Sequence, residues 1–170
     1  ALISDAARAA GASVTSVDEL VVSLPGSYDP ATDRVRYADR VPDWTIPGLA
    51  AELALVLPPG SAVTIDNDVN LALVAERAHD PAKGSGVASL LWLGAGVGLA
   101  TDVGGTLYRG VSGGAGEVGY IPVPVPTVAA RGQRRAASSD FQAAVGGAAV
   151  LRLAQQHGQG VAAPAGRRRT

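Results

Sequence analysis

Apolar residues recur along this chain in short runs broken by Pro, Gly, Asn and Asp, and the spacing predicts a succession of strands and helices. Ser4 to Ala10 reads as the end of a helix, with Ser4 as a cap and Gly11 as the stop. Asp18 to Gly26 is an apolar run ending in Pro25-Gly26, which suits a buried strand leading into a turn. The turn residues Asp29, Pro30 and Asp33, followed by alternating Arg34-Val35-Arg36-Tyr37, predict a hairpin. Leu49 to Leu57 reads as an apolar helix closed by Pro58-Pro59-Gly60, and Ala62 to Ile65 as a strand. Asn67-Asp68 then stands where a cap would start a helix over Val69 to His79.

Asp80 to Gly86 has the composition of a linker and marks the expected boundary between two half-lobes, residues 1–82 and 83–170. Beyond it, Val87 to Leu93 and Val97 to Asp102 read as strands separated by a glycine-rich turn, and Thr106 to Arg109 follows a Gly104-Gly105 hairpin turn. Gly110 to Gly119 is too rich in glycine for regular structure. Pro122, Pro124 and Pro126 mark an extended segment, Arg131 to Ser139 a polar, mobile one, and Phe141 to His157 a final helix weakened by Gly146-Gly147. No internal repeat is present. Strands and helices in this order make an α/β protein.

Composition narrows the classes. At 170 residues and 47% hydrophobic content the chain can bury a core, so wholesale disorder is not expected. A net charge of −1 argues against a free-standing nucleic-acid-binding module, which needs a basic face to displace counterions from phosphates. DNA contact is expected only through a domain outside this chain. The absence of cysteine excludes disulfides and Cys-ligated zinc. No stretch approaches the roughly 18 apolar residues of a membrane helix, and Asp5 and Arg8 interrupt the opening where a signal peptide needs its apolar run. A cytoplasmic location without membrane association is expected, and the lack of Met together with a start at Ala1 implies preceding sequence.

Three segments carry candidate chemistry. Ile65-Asp66-Asn67-Asp68-Val69-Asn70 runs from a strand into a helix start, followed by Glu76. An aspartate held there by rigid elements could act as a base towards a hydroxyl, although for an isolated Asn-Asp a plain Asx cap is the better explanation. In Leu91 to Leu99, the alternating Gly94, Gly96 and Gly98 would let backbone amides approach an anion, and would equally make a tight turn. Glu117, flanked by Gly116 and Gly119, could accept hydrogen bonds from sugar hydroxyls or be a surface acid.

Taken in order, the segments Leu24-Pro25-Gly26, Val41-Pro42-Asp43-Trp44, Asn67 to Asn70, Gly94 to Gly98, Val103 to Arg109 and Ala115 to Tyr120 resemble the ROK family of sugar kinases and sugar-responsive repressors, over roughly residues 20–155. The resemblance implies an actin-like, ribonuclease-H-like α/β fold, here incomplete, whose half-lobes close over a sugar. It makes Asp68 the match of the catalytic base, Asn67, Glu117 and Gly26 matches of sugar-holding positions, and Gly94, Gly96 and Gly98 the turn facing nucleotide phosphates. The family's first phosphate motif belongs upstream of the segments seen here. Asp102-Val103-Gly104-Gly105-Thr106 mimics it but falls where the family has a hairpin.

Departures matter equally. Ala95 stands where kinases of the family carry a Thr hydroxyl, and Tyr120 replaces the usual His. A polar loop with Arg131, Arg134 and Arg135 replaces the cysteine-rich zinc loop, so no metal is expected. Gln142 aligns near a second sugar-binding Glu and Arg40 near a usual Asn. The reading favoured by these losses is the sugar-sensing domain of a ROK transcriptional regulator, a small-molecule sugar its ligand, no cofactor required, and a homo-oligomer its expected assembly. The alternative is an ATP- and magnesium-dependent sugar kinase; a domain with neither property is the third.

Overall fold

The structure, a computed structural model, describes residues 2–38, 41–79, 86–126 and 136–158. Helix α1 (Leu2–Ala9) ends where Gly11 takes a left-handed φ of 71° and Ala12 donates back to the Ala7 carbonyl. Ser4 therefore lies inside the first turns of α1 and is not its cap. Strand β1 (Glu19–Leu24) pairs in parallel with β4 (Ala62–Asn67), in a register running from Glu19↔Ala62 to Leu24↔Asn67. Parallel neighbours need a long crossover. Here it holds the antiparallel hairpin β2 (Ser27–Asp29) and β3 (Arg34–Arg36), a short turn at Pro42–Trp44, and helix α2 (Leu49–Ala54).

Helix α2 is shorter than its apolar run. After Ala54 the chain tightens, Val56 donating to the Leu53 carbonyl and Leu57 to that of Ala54, because Pro58-Pro59 forbids further helix. Strand β4 runs two residues further than its apolar run and passes directly into α3 (Asp68–His79). A three-stranded sheet follows in the order β5 (Val87–Leu93), β6 (Val97–Val103), β7 (Thr106–Leu107). The β6–β7 turn is a hairpin pairing Asp102 with Leu107, and Asp102 Oδ1 accepts from the Gly105 amide at 2.8 Å, so the Asp102–Thr106 segment is a turn and not a phosphate loop.

The C-terminal third departs most from its sequence reading. Ala136–Asp140, which overlaps the end of the segment read as polar and mobile, is strand β9, antiparallel to β8 (Pro122–Pro126). Alternate prolines place every missing N–H on one edge of β8, which leaves Val123 and Val125 to pair on the other. The final helix is two helices, α4 (Phe141–Val145) and α5 (Gly147–Gln156). Gly146 between them is extended and its amide closes α4 on the Gln142 carbonyl at 2.8 Å, while Asp140 caps α4 by accepting from the Ala143 amide. Residues 80–85 and Arg131 to Arg135 lie outside the described residues.

Two compact units emerge, Ala1–Leu91 with Leu99–Glu117, and Trp92–Gly98 with Val118–Thr170. In the first, Leu24, Val35, Ala38, Leu49 and Ile65 form one apolar cluster that seats the β1–β4 pair against the hairpin and α2. Val69, Leu73 and Ala100 form a second, which holds α3 on its sheet. Leu24 is 1% exposed and Val21, on the same strand, 50%. Truncation to Ala should therefore cost about 2–5 kcal/mol at Leu24 and less than about 1 kcal/mol at Val21, measured by urea unfolding followed by circular dichroism. Equal losses would contradict this packing.

Candidate functional site

Within the first unit, the β4–α3 junction concentrates polar side chains on a rigid support. Asn67 is the helix cap: its Oδ1 accepts from the amides of Val69 (2.8 Å) and Asn70 (3.3 Å), satisfying two of the donors that a helix start leaves open. Its Nδ2 donates to the Gly26 carbonyl at 2.9 Å, tying the helix start to the turn after β1. Gly26 has φ 143°, and a Cβ there would come within 2.6 Å of the Arg36 carbonyl, so only glycine fits. Asp68, the next residue, is exposed; its Oδ1 accepts from the Val69 amide at 2.9 Å, at the end of α3 where a negative charge is favourable.

Asp66, one residue before the cap, is buried. Its Oδ1 accepts from the Asn67 amide (2.8 Å) and from Asn70 Nδ2 (2.7 Å). Its Oδ2 accepts from Arg109 Nε (3.0 Å) and Nη2 (2.6 Å). Arg109 follows β7 and opens the glycine-rich stretch that ends at Glu117.

That stretch is a folded loop without regular structure. The Ala115 amide donates to the Arg109 carbonyl (3.2 Å), the Glu117 amide to Gly114 (3.2 Å), and the Leu99 amide to Gly116 (2.9 Å). A Cβ on Gly116 would stand 1.9 Å from the Leu99 carbonyl oxygen, a contact no other residue allows. Glu117 is half-buried at the loop's end, near enough to Asp68 to feel its charge. Burial first, and the Asp68 carboxylate second, push the Glu117 carboxyl from its ordinary 4.5 up to about 7. Near neutral pH such a carboxyl can both donate and accept, which suits recognition of hydroxyl groups.

In the second unit, Gly94 to Gly96 form the turn between β5 and β6, and Val97 and Gly98 open β6. The Gly94 amide donates to the Gly96 carbonyl (2.9 Å), the Val97 amide donates to Gln142 Oε1 on α4 (3.3 Å), and the Gly94 carbonyl accepts from the Gly147 amide (2.8 Å). The Trp92 indole nitrogen lies 2.6 Å from where a Gly94 Cβ would be. Two amides of the turn are thus engaged inside the chain.

The first unit brings together Gly26, Asn67, Asp68 and Glu117, while Gly94, Gly96 and Gly98 sit with Gln142 in the second; Arg40 lies outside the described residues. Sequence reasoning quoted the segments holding Asp66, Asn70 and Arg109 but gave these three residues no role. The available signal was an acid at the end of an apolar strand, which cannot be buried without a donor set. Among the described residues no three His, Asp or Glu side chains gather as a metal site, and no helix is long and apolar enough to cross a membrane.

Comparison with known proteins accords with this architecture. An uncharacterized protein of Clostridium perfringens is 30% identical over 108 residues, which is 63% of this chain and 36% of that protein. The solved structure of a ROK hexokinase from Thermus thermophilus superposes with a TM-score of 0.62 at 23% identity, over 92% of this chain and 49% of that one. A ROK family transcriptional regulator, a homologue of the E. coli MLC protein, superposes with a TM-score of 0.63 at 19% identity, over 88% of this chain and 36% of that one. The chain thus spans between 36% and 49% of the length of these relatives. The ROK family model matches residues 1–162. This chain belongs to the ROK family, and its α/β architecture is a partial form of that family's actin-like sugar-kinase fold.

Proposed function

We propose that the chain is the sugar-sensing part of a ROK transcriptional regulator, in which Asn67, Asp68, Glu117 and the Gly26 backbone hold a sugar. The observation that carries this reading is a contrast between two sites. The carboxylates of Asp68 and Glu117 are held near each other, whereas the glycine turn uses its Gly94 and Val97 amides internally and offers Ala95 in place of a hydroxyl. A sensor needs only to bind a sugar differently in two states. A kinase must also hold and stabilise the transferring phosphoryl group. Losing one well-placed donor to developing charge typically costs about 3–4 kcal/mol. ATP and magnesium therefore have a poor seat in this turn. Division into half-lobes at residues 82 and 83, contact with DNA through a domain beyond this chain, a cytoplasmic setting and a homo-oligomeric assembly all belong to the same proposal.

The kinase reading keeps one specific support: Asp68 is exposed on a rigid helix start, where it could take a proton from a bound hydroxyl. The two readings part in one experiment. Titration calorimetry with a panel of hexoses and aminosugars should find a binder, and Asp68→Asn should weaken it at least about tenfold, roughly the value of one charge-assisted hydrogen bond. With ATP and magnesium present, no sugar-dependent ADP release should occur. ADP release that depends on sugar and vanishes in Asp68→Asn would establish the kinase instead.

The Glu117 carboxyl supplies a further expectation. Because its value is raised on folding, the folded chain binds more protons than the unfolded chain between pH 4.5 and about 7. Stability from this group is therefore fully present below the ordinary carboxylate range and is lost as pH rises through about 7. Glu117→Gln should remove that slope and be more stable than the parent at pH 8 by about 1–2 kcal/mol, the full shift being discounted for screening of a half-buried charge. Urea unfolding of both proteins across this range is the measurement; parallel profiles would contradict the assignment.

A further inference from the structure

Asp66 and Arg109 are not among the residues proposed to hold the sugar, yet Asp66 directly precedes Asn67 and Arg109 opens the loop that ends at Glu117. Asp66 is followed directly by the cap Asn67 and then by Asp68; it is buried and takes four donors, two on each oxygen. Two donors come from the junction itself, the Asn67 amide and Asn70 Nδ2, and these fix the carboxylate to the start of α3. The other two come from one guanidinium, Nε and Nη2 of Arg109, at 3.0 and 2.6 Å. Arg109 is partly open to solvent, and its Nη1 also reaches the Leu107 carbonyl at 3.5 Å, so the side chain is aligned by the end of β7. Its own carbonyl accepts from Ala115 and so closes the loop that ends in Glu117.

We propose that the Asp66–Arg109 pair is the positioning element of the candidate site: it locks the loop bearing Glu117 against the helix start bearing Asp68, and so sets the approach of the two carboxyl groups. This rests on the reading of Asp68 and Glu117 as the sugar-holding pair. The planar fork of Arg109 supplies two donors in fixed geometry, which a lysine ammonium cannot reproduce. Without the lock, like charges on Asp68 and Glu117 would drive the loop away from α3 and let water reach the Glu117 carboxyl. Glu117 would then sit apart from Asp68 although both residues remained in the chain.

The test uses the full chain with Glu side-chain carboxyl carbons labelled with carbon-13, titrated by NMR for the parent, Arg109→Lys and Asp66→Asn. Arg109→Lys retains the positive charge, so a change reports geometry and not a missing cation. In both variants the Glu117 midpoint should fall by about one pH unit from about 7 towards the ordinary range, with the amide spectrum still dispersed. Affinity for whichever hexose or aminosugar binds the parent should drop about tenfold or more. The affinity of Arg109→Lys should lie between that of the parent and that of a third variant, Arg109→Ala. A Glu117 midpoint unchanged in folded Arg109→Lys and Asp66→Asn would overturn the proposal. So would loss of the folded spectrum in both, which would make the pair a support of the fold and not of the site. If no sugar binds the parent, the sugar reading fails, and the Glu117 midpoints still decide the role of the pair.

Discussion

A carboxylate removed from water must be given donors or it will not stay there. Asp66 meets that constraint at the point where β4 becomes α3, and the way it does so organises its neighbourhood. Its two oxygens draw in the cap amide, a helix side chain and an arginine that is 43 residues away in sequence. The cap in turn reaches the Gly26 carbonyl after β1. One turn and one loop thus converge on a single strand–helix junction, and the exposed Asp68 is presented from it. The apolar clusters around Leu24 and around Val69 provide the stiffness behind this junction.

The same region departs from economy of folding. Glu117 is half-buried beside another acid, an arrangement that disfavours its charged form and brings no stability to the fold. Gly116 and Gly26 are places where the backbone passes so close to another carbonyl that no side chain fits. The glycine turn of the second unit is different in kind. Its polar groups are answered by Gln142 and Gly147 from α4 and α5, and it behaves as a packed corner. The nearness of two acids at the first site, set against a turn whose Gly94 and Val97 amides are engaged within the chain, is what favours the proposed binding reading over a phosphoryl-transfer one.

Much of this was legible in the chain. The strands β1, β4, β5 and β6 were visible as apolar runs between turn residues, and the Asn67-Asp68 cap was visible because few residues can start a helix after a strand. The helix break at Gly146 was legible only as a weakness, since glycine tolerates a helix until a nearby cap and an extended neighbour decide otherwise. Strand β9 was hidden by its polar composition: Ala136 to Asp140 pairs because β8 has a free edge, a fact about another segment. Arg109 was hidden for a similar reason. Its partner is distant in sequence, and nothing local distinguishes it from an exposed loop arginine. Long-range pairing of polar groups is the information that periodicity and spacing do not carry.

The central claim is that one sugar occupies the space between the start of α3 and the Glu117 loop. Amide chemical-shift mapping of the nitrogen-15-labelled chain tests it most directly, with a binding hexose or aminosugar titrated to saturation. The account predicts saturable shifts grouped at Gly26, Asn67, Asp68, Gly116 and Glu117, with α5 and the β8–β9 pair unmoved. Shifts confined to Gly94 to Gly98 and α4, or no shift at Asp68 and Glu117 with any sugar, would contradict it.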